Sequence, residues 1–244
     1  MLVVVCGALL SGCGARTGLP GETRTKLASP ACRPDPGNPD RVVLSGAFRD
    51  FRDTHPDFEG PFIGEDQGIV ESVLGADGKP VYAGQDGNPS THGAVAFDQW
   101  YRDTPGVNLR KDTALSLAQS TSEANVYGFA DDTFFPLDGE LFGDEGRDHN
   151  FHFTLEAHGT FEYLGGELLG FAGDDDMWVF INGRLAIDLG GVHSTESAFI
   201  DLDERAGELE LVRGEIAPVD LFFAERHTSG STFDFSLRDF VVCE

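Results

Sequence analysis

Three consecutive acids, Asp174-Asp175-Asp176, follow Gly173 and stand directly ahead of the apolar run Met177-Trp178-Val179-Phe180-Ile181. Adjacent carboxylates repel, and at the entrance of a buried strand that repulsion is costly unless a cation or strong donors neutralise it. Calcium suits such a cluster, because it takes about six to eight oxygens from carboxylates, carbonyls and hydroxyls without strict geometry. The competing arrangement is a solvated acidic turn. Glu225-Arg226-His227 ends the run Leu221-Phe222-Phe223, and His193 follows Gly190-Gly191 two positions on. Loops at one end of a β-structure bring such groups towards the aspartates. Glu225 is then the best third oxygen donor, and Arg226 pairs with an acid. His193 and His227, poor calcium ligands, are expected to hydrogen-bond the carboxylates or lock the loops. The candidate metal ligands are thus Asp174, Asp175 and Glu225, and the candidate ligand-binding residues are Asp174, Asp175, Asp176, His193 and His227.

Other chemistry finds little support. There is no G-x-S-x-G elbow, P-loop, H-E-x-x-H or G-x-G-x-x-G pattern. Carboxylate pairs for glycoside hydrolysis carry no information in a chain with 42 Asp plus Glu. The expectation is a protein that binds and does not catalyse.

The elements that must position these residues read as β-strands. Phe151, Phe153, Leu155 and Ala157 alternate with Asn150, His152, Thr154, Glu156 and His158, as on a half-buried antiparallel strand. Leu209 and Leu211 alternate with Glu208 and Glu210 in the same way, as do Phe233, Phe235 and Leu237 with Asp234, Ser236 and Arg238. Met177–Ile181 is apolar throughout, which predicts a strand covered on both faces and central in its sheet. Asn182-Gly183 then suits a type I′ hairpin into Leu185-Ala186-Ile187. Phe97, Trp100 and Tyr101 have helical spacing, predicting one short helix between Ala94 and Asp103 anchored on the core. With 31 Gly, 12 Pro and 20 Phe, the composition favours an all-β, antiparallel β-sandwich with long loops.

Charge narrows the partners. Seventeen Lys plus Arg against 42 acids leave a formal net charge of −25, which repels nucleic acid and anionic lipid surfaces. Residues 1–12 hold an uncharged apolar run, too short to span a bilayer, that reads as a signal peptide. Leu10-Ser11-Gly12-Cys13 resembles a bacterial lipobox, with Cys13 as the lipidated residue, and Gly14 in place of Asp favours the outer membrane. Residues 13–40 read as a flexible tether and residues 41–244 as one domain. Export leaves Cys32 and Cys243 as a pair, expected to form a disulfide with Cα atoms within about 7 Å.

From about Val43 onward the chain resembles the fibro-slime domain family, secreted β-sandwiches related to the protective-antigen-type module of microbial adhesins. The likeness is carried by ordered blocks: Phe48-Arg49-Asp50-Phe51, Phe97-Asp98-Gln99-Trp100-Tyr101, Phe134-Phe135-Pro136-Leu137-Asp138, Gly173-Asp174-Asp175-Asp176-Met177-Trp178, Asp188-Leu189-Gly190-Gly191-Val192-His193 and Leu221-Phe222-Phe223-Ala224-Glu225-Arg226-His227. The resemblance implies that Asp174 and Asp175, joined by a cis peptide, hold one calcium ion that coordinates vicinal sugar hydroxyls. The adhesin pattern has Gly where Asp176 stands. The implied function is a surface-anchored adhesion module recognising extracellular glycan or matrix through calcium. The alternatives are a structural surface or slime-matrix component with a purely structural calcium and, least favoured, a carboxylate-dependent glycoside hydrolase.

Overall fold

The computed structural model describes Cys32, residues 40–84 and residues 88–243. The leader at residues 1–12, lipidation at Cys13 and most of the 13–40 tether lie outside the described residues. In chain order the elements are β1 (Arg41–Phe51), β2 (Gly64–Glu65), α1 (Ala94–Phe97), β3 (Asn108–Gln119), β4 (Val126–Asp131), β5 (Phe153–Glu162), β6 (Leu168–Gly173), β7 (Asp176–Ile181), β8 (Arg184–Leu189), β9 (Gly191–Val192), β10 (Glu196–Asp201), α2 (Leu202–Arg205), β11 (Ile216–Glu225), β12 (Phe233–Arg238) and β13 (Val241–Cys243). No helix among them is long and apolar enough to cross a membrane.

The fold is an all-β antiparallel sandwich close to a barrel. One sheet runs β10-β6-β12-β4-β3-β1-β5-β11-β7-β8, and β13 pairs with β5 at Thr160–Glu162, beyond the end of the β1 ladder. The two end strands, β10 and β8, come back into contact, so the sheet curls over itself and its inner face encloses one core. Alternation supplies that core: Phe153, Leu155 and Ala157 on β5, Val219, Leu221 and Phe223 on β11, and Phe233, Phe235 and Leu237 on β12 are all buried. Phe134, from the β4–β5 connection, packs its ring against Phe48, Phe129, Phe153, Phe223 and Phe233.

A second layer covers part of the outer face. The excursion between β2 and β3 buries Ile69, Val70, Phe97, Trp100 and Tyr101 against Trp178, Phe180, Phe222 and Ala224. This is why β7 is buried at every position. It is not the central strand, however; it lies next to the edge strand β8, and its two-sided burial comes from the added layer. The helix is also shorter than its aromatic spacing suggested, ending at Phe97, with Trp100 and Tyr101 on the turns that follow. Asn182 and Gly183, at φ 53° and 70°, make the expected tight turn.

The Glu208–Leu211 strand does not form. Leu202, Ala206 and Leu209 have helical spacing instead, and Asp201 caps that segment by accepting a hydrogen bond from the Asp203 N–H. Leu209 is buried from a turn, so its alternation with Leu211 was coincidental.

Cys32 and Cys243 are bonded, with their Cα atoms 4.1 Å apart and a sequence separation of 211. The bridge ties the stretch ahead of β1 to β13. Replacing both with Ser is expected to cost about 2–5 kcal/mol, read as a lower calorimetric Tm than the oxidised parent.

Candidate functional site

The site is built on the connection from β6 to β7. Gly173 is required there, because a Cβ would lie 2.6 Å from the Phe171 ring and 2.8 Å from the Thr232 carbonyl oxygen. Asp175 takes a left-handed conformation at φ 55°, which Asp tolerates better than most residues. The Asp174–Asp175 peptide is trans, as is every peptide among the described residues. The cis bond that the resemblance implied is not formed, and the chain turns here through the left-handed Asp175.

The turn sends the three carboxylates in different directions. Asp174 accepts from the Thr232 N–H. Asp175 is buried and accepts from two successive amides, Arg226 N–H at 2.8 Å and His227 N–H at 3.1 Å. Asp176, fully buried, points the other way and forms an ion pair with Arg226 while accepting from Gly191 N–H at 2.8 Å. Asp176 is therefore not a ligand-facing group; it is the counter-ion of the one acid–base pair predicted for Arg226.

Arg226 spends its guanidinium on structure. It donates to the Asp57 carbonyl at 3.1 Å and the Ser90 carbonyl at 2.7 Å, and lies 4.7 Å over the Trp100 ring. Trp100 donates its indole N–H to Asp57 at 3.0 Å, and Asp57 also accepts from the His92 backbone N–H. One buried cation thus joins β7, β11 and the second layer.

Asp174 and Asp175 face a cavity of about 350 Å³, with His193 and His227 also in its wall. Four of the residues expected to bind ligand are therefore brought together. The remaining wall holds the hydroxyl residues Ser194, Thr195, Thr228 and Ser229 and the apolar Ile63 and Val192. Val192 and its neighbour Gly191 are held by the two-residue ladder of β2 and β9. A Cβ on Gly191, at φ 126°, would lie 2.3 Å from the Gly64 carbonyl oxygen, so only glycine permits this ladder. Sequence reasoning missed the hydroxyl rim, although Ser194-Thr195 and Thr228-Ser229 directly follow the two singled-out histidines.

Of the two arrangements expected for these histidines, the structure shows bonds within the loops and none from either imidazole to a carboxylate among the described residues. His193 and His227 turn Nδ1 towards the carbonyl oxygens of their next residues, Ser194 at 3.0 Å and Thr228 at 2.9 Å. A carbonyl only accepts, so Nδ1 carries the proton in each. Nε2 of His193 is buried and has no hydrogen-bond partner among the described residues.

Glu225 lies behind the aspartates, fully buried, with Oε2 also unpartnered among the described residues. Burial first, then the charges of Asp175 and Asp174, push its carboxyl well above the ordinary range. Asp175 is pushed up to about 7, by burial above all, with Arg226 pulling it back and its two neighbouring aspartates adding to the rise. Asp174 is also raised by burial. This is a carboxylate group short of positive charge. Among the described residues, however, no three His, Cys, Asp or Glu side chains converge as a ready-made metal centre does.

Residues 135–239 match the PA14 domain family. Two similar proteins are psiR of Dictyostelium discoideum, 42% identical over 189 residues, and psiQ of the same organism, 40% identical over 190. The matches take in 71% and 72% of this chain but only 19% of each relative, so the chain spans about a fifth of their length. Among solved structures, the PA14 sugar-binding domain from an RTX adhesin is 10% identical at a TM-score of 0.37, covering 82% of this chain and 93% of that one.

Two expectations follow from the electrostatics. Arg226→Met should cost about 3–5 kcal/mol in urea denaturation, because it strands a buried Asp176, and adding Asp176→Asn should recover part of the loss. In chelator, the raised Asp175 means the folded state resists the ionisation that the unfolded state undergoes near 3.8, so stability falls as pH climbs from there to about 7. Asp175→Asn should flatten the urea midpoint across that window.

Proposed function

We propose that residues 41–243 form a PA14-type recognition module of the fibro-slime class, which binds an extracellular glycan through a calcium ion held by Asp174, Asp175 and Glu225. The observation that carries this reading is Glu225 Oε2, buried without a partner beside two further carboxylates whose common edge opens on a hydroxyl-rimmed cavity. The donors fit calcium in kind, being carboxylate oxygens with backbone carbonyls and hydroxyls close by. Bound calcium would neutralise the carboxylates and offer open positions to vicinal sugar hydroxyls.

The chain's own residues do the rest. The Thr232, Arg226 and His227 amides fix the direction of Asp174 and Asp175. His193 Nε2 hydrogen-bonds a ligand hydroxyl, Ser194, Thr195 and Thr228 exchange hydrogen bonds with it, and Ile63 and Val192 meet its apolar edge. The PA14 match over residues 135–239 supports this reading, since it includes the acidic turn and both histidine loops. Export, anchoring through an acylated Cys13 and display at the outer-membrane surface belong to the same proposal.

The test is thermal melting with calcium against chelator, followed by a glycan array under both conditions. A ligand specific to the folded state adds about 2.7 kcal/mol at a hundredfold excess over its Kd, so the native Tm should climb with calcium. The Asp174→Asn/Asp175→Asn variant should fold, show no such climb and retain no calcium-dependent glycan binding. Calcium stabilisation without any array signal would make the ion purely structural, and no stabilisation at millimolar calcium would remove the ion from the site.

A further inference from the structure

Among the described residues, the second layer does not cover the whole outer face of the sheet. It covers Trp178, Phe180 and Phe222, and its last reach over β5 is the Lys79–Glu156 ion pair. Beyond Glu156 come two rows of side chains that are exposed or half-buried. Ser45 on β1, His158 on β5 and Asp220 on β11 stand side by side in register, and Thr160 pairs with Pro218 in the next row, flanked by Val43. Together with Gly159 and the bridged Cys243, these six residues line a concavity of about 580 Å³, larger than the one at the acidic turn.

The polar groups in it are preset. His158 Nδ1 is 2.7 Å from Asp220 Oδ1, and its Nε2 is 3.6 Å from Glu156 Oε2. Burial pulls this imidazole down, but its bonds to Asp220 and Glu156 outweigh that and hold it at about 8. With His158 protonated, the charges facing one another are Asp220 against His158 and Glu156 against Lys79, while Arg49 also reaches Glu156 at 3.1 Å. The floor is therefore close to neutral in a chain that is otherwise strongly acidic. Ser45, His158 and Asp220 resemble a nucleophilic relay only in type. The free imidazole nitrogen faces Glu156 instead of Ser45, and a protonated ring cannot take the serine proton.

Fixed donors and acceptors between two apolar walls, Val43 at 45% exposure and the half-buried Pro218, are the make-up of a small-molecule site, for which about 300–1,000 Å³ is usual. We propose that this groove is a second, calcium-independent site for a neutral saccharide. Asp220 accepts from its hydroxyls, Ser45 bonds them, and Val43 and Pro218 pack on its C–H face. The site lies apart from the acidic turn and stands whether or not that turn binds calcium.

The experiment is a titration of the full chain, in chelator, with lactose, maltose and chitobiose, read by methyl and imidazole NMR shifts. Up to about 10 mM, where a site with Kd near 1 mM fills, saturable shifts are expected at Val43 and His158. Val43→Arg, at an exposed position that tolerates it, should block the groove and abolish them with an unchanged Tm. Ser45→Ala should weaken binding several-fold, and Asp174→Asn/Asp175→Asn should leave the shifts intact. Absence of shifts at Val43 and His158 for all three sugars would overturn the proposal, as would shifts that survive Val43→Arg or vanish in the Asp174→Asn/Asp175→Asn variant.

Discussion

The Arg226–Asp176 ion pair is the constraint on which the rest of the molecule's functional end depends. Both groups are fully buried, so each gave up its hydration, and a lone buried pair is a poor source of stability. What offsets the loss is the number of further bonds the guanidinium makes: to the Asp57 and Ser90 carbonyls, with Trp100 beneath it. The same residue's backbone N–H holds Asp175. A single side chain therefore sets the distance between the second layer and the sheet, while its main chain orients the carboxylate at the cavity. Asp57 and Ser90, on the two loops that approach the sheet from the second layer, are held by this cation through their carbonyls.

That arrangement separates three adjacent acids into different roles. In a flat strand, alternation would put Asp174 and Asp176 on one side and Asp175 on the other. The left-handed Asp175 breaks the alternation and faces Asp176 towards Arg226, leaving Asp174 and Asp175 at the opening with Glu225 behind them. Residue type alone marked the cluster as a place of unbalanced charge. It did not reveal which carboxylate was already neutralised, because the partner arrives from 50 residues further along the chain.

Legibility followed the range of the interactions involved. Strands β5 and β12 and the β7–β8 hairpin were readable because alternation and turn chemistry are local. The Glu208–Leu211 misreading came from a pattern of only two leucines, which helical and extended spacing fit equally well until Leu202 and the Asp201 cap decide it. The place of β7 beside an edge, the layer over it and the two-residue β2–β9 ladder depend on contacts between distant segments, and no period in the sequence reports them. The histidines show the same limit at the scale of a single ring. Their proximity to the acidic turn was legible from loop position, whereas the direction of each imidazole was decided by the nearest backbone carbonyl.

The Cys32–Cys243 bridge also determines how the domain meets mechanical load. A tug on the chain ahead of Cys32 does not enter through β1 alone. It divides between the covalent path into β1 and the sulfur bridge into β13, and both strands lie along β5. The load is thus spread over two ladders on one interior strand, so peeling the first strand away from the sheet requires the last one to yield as well.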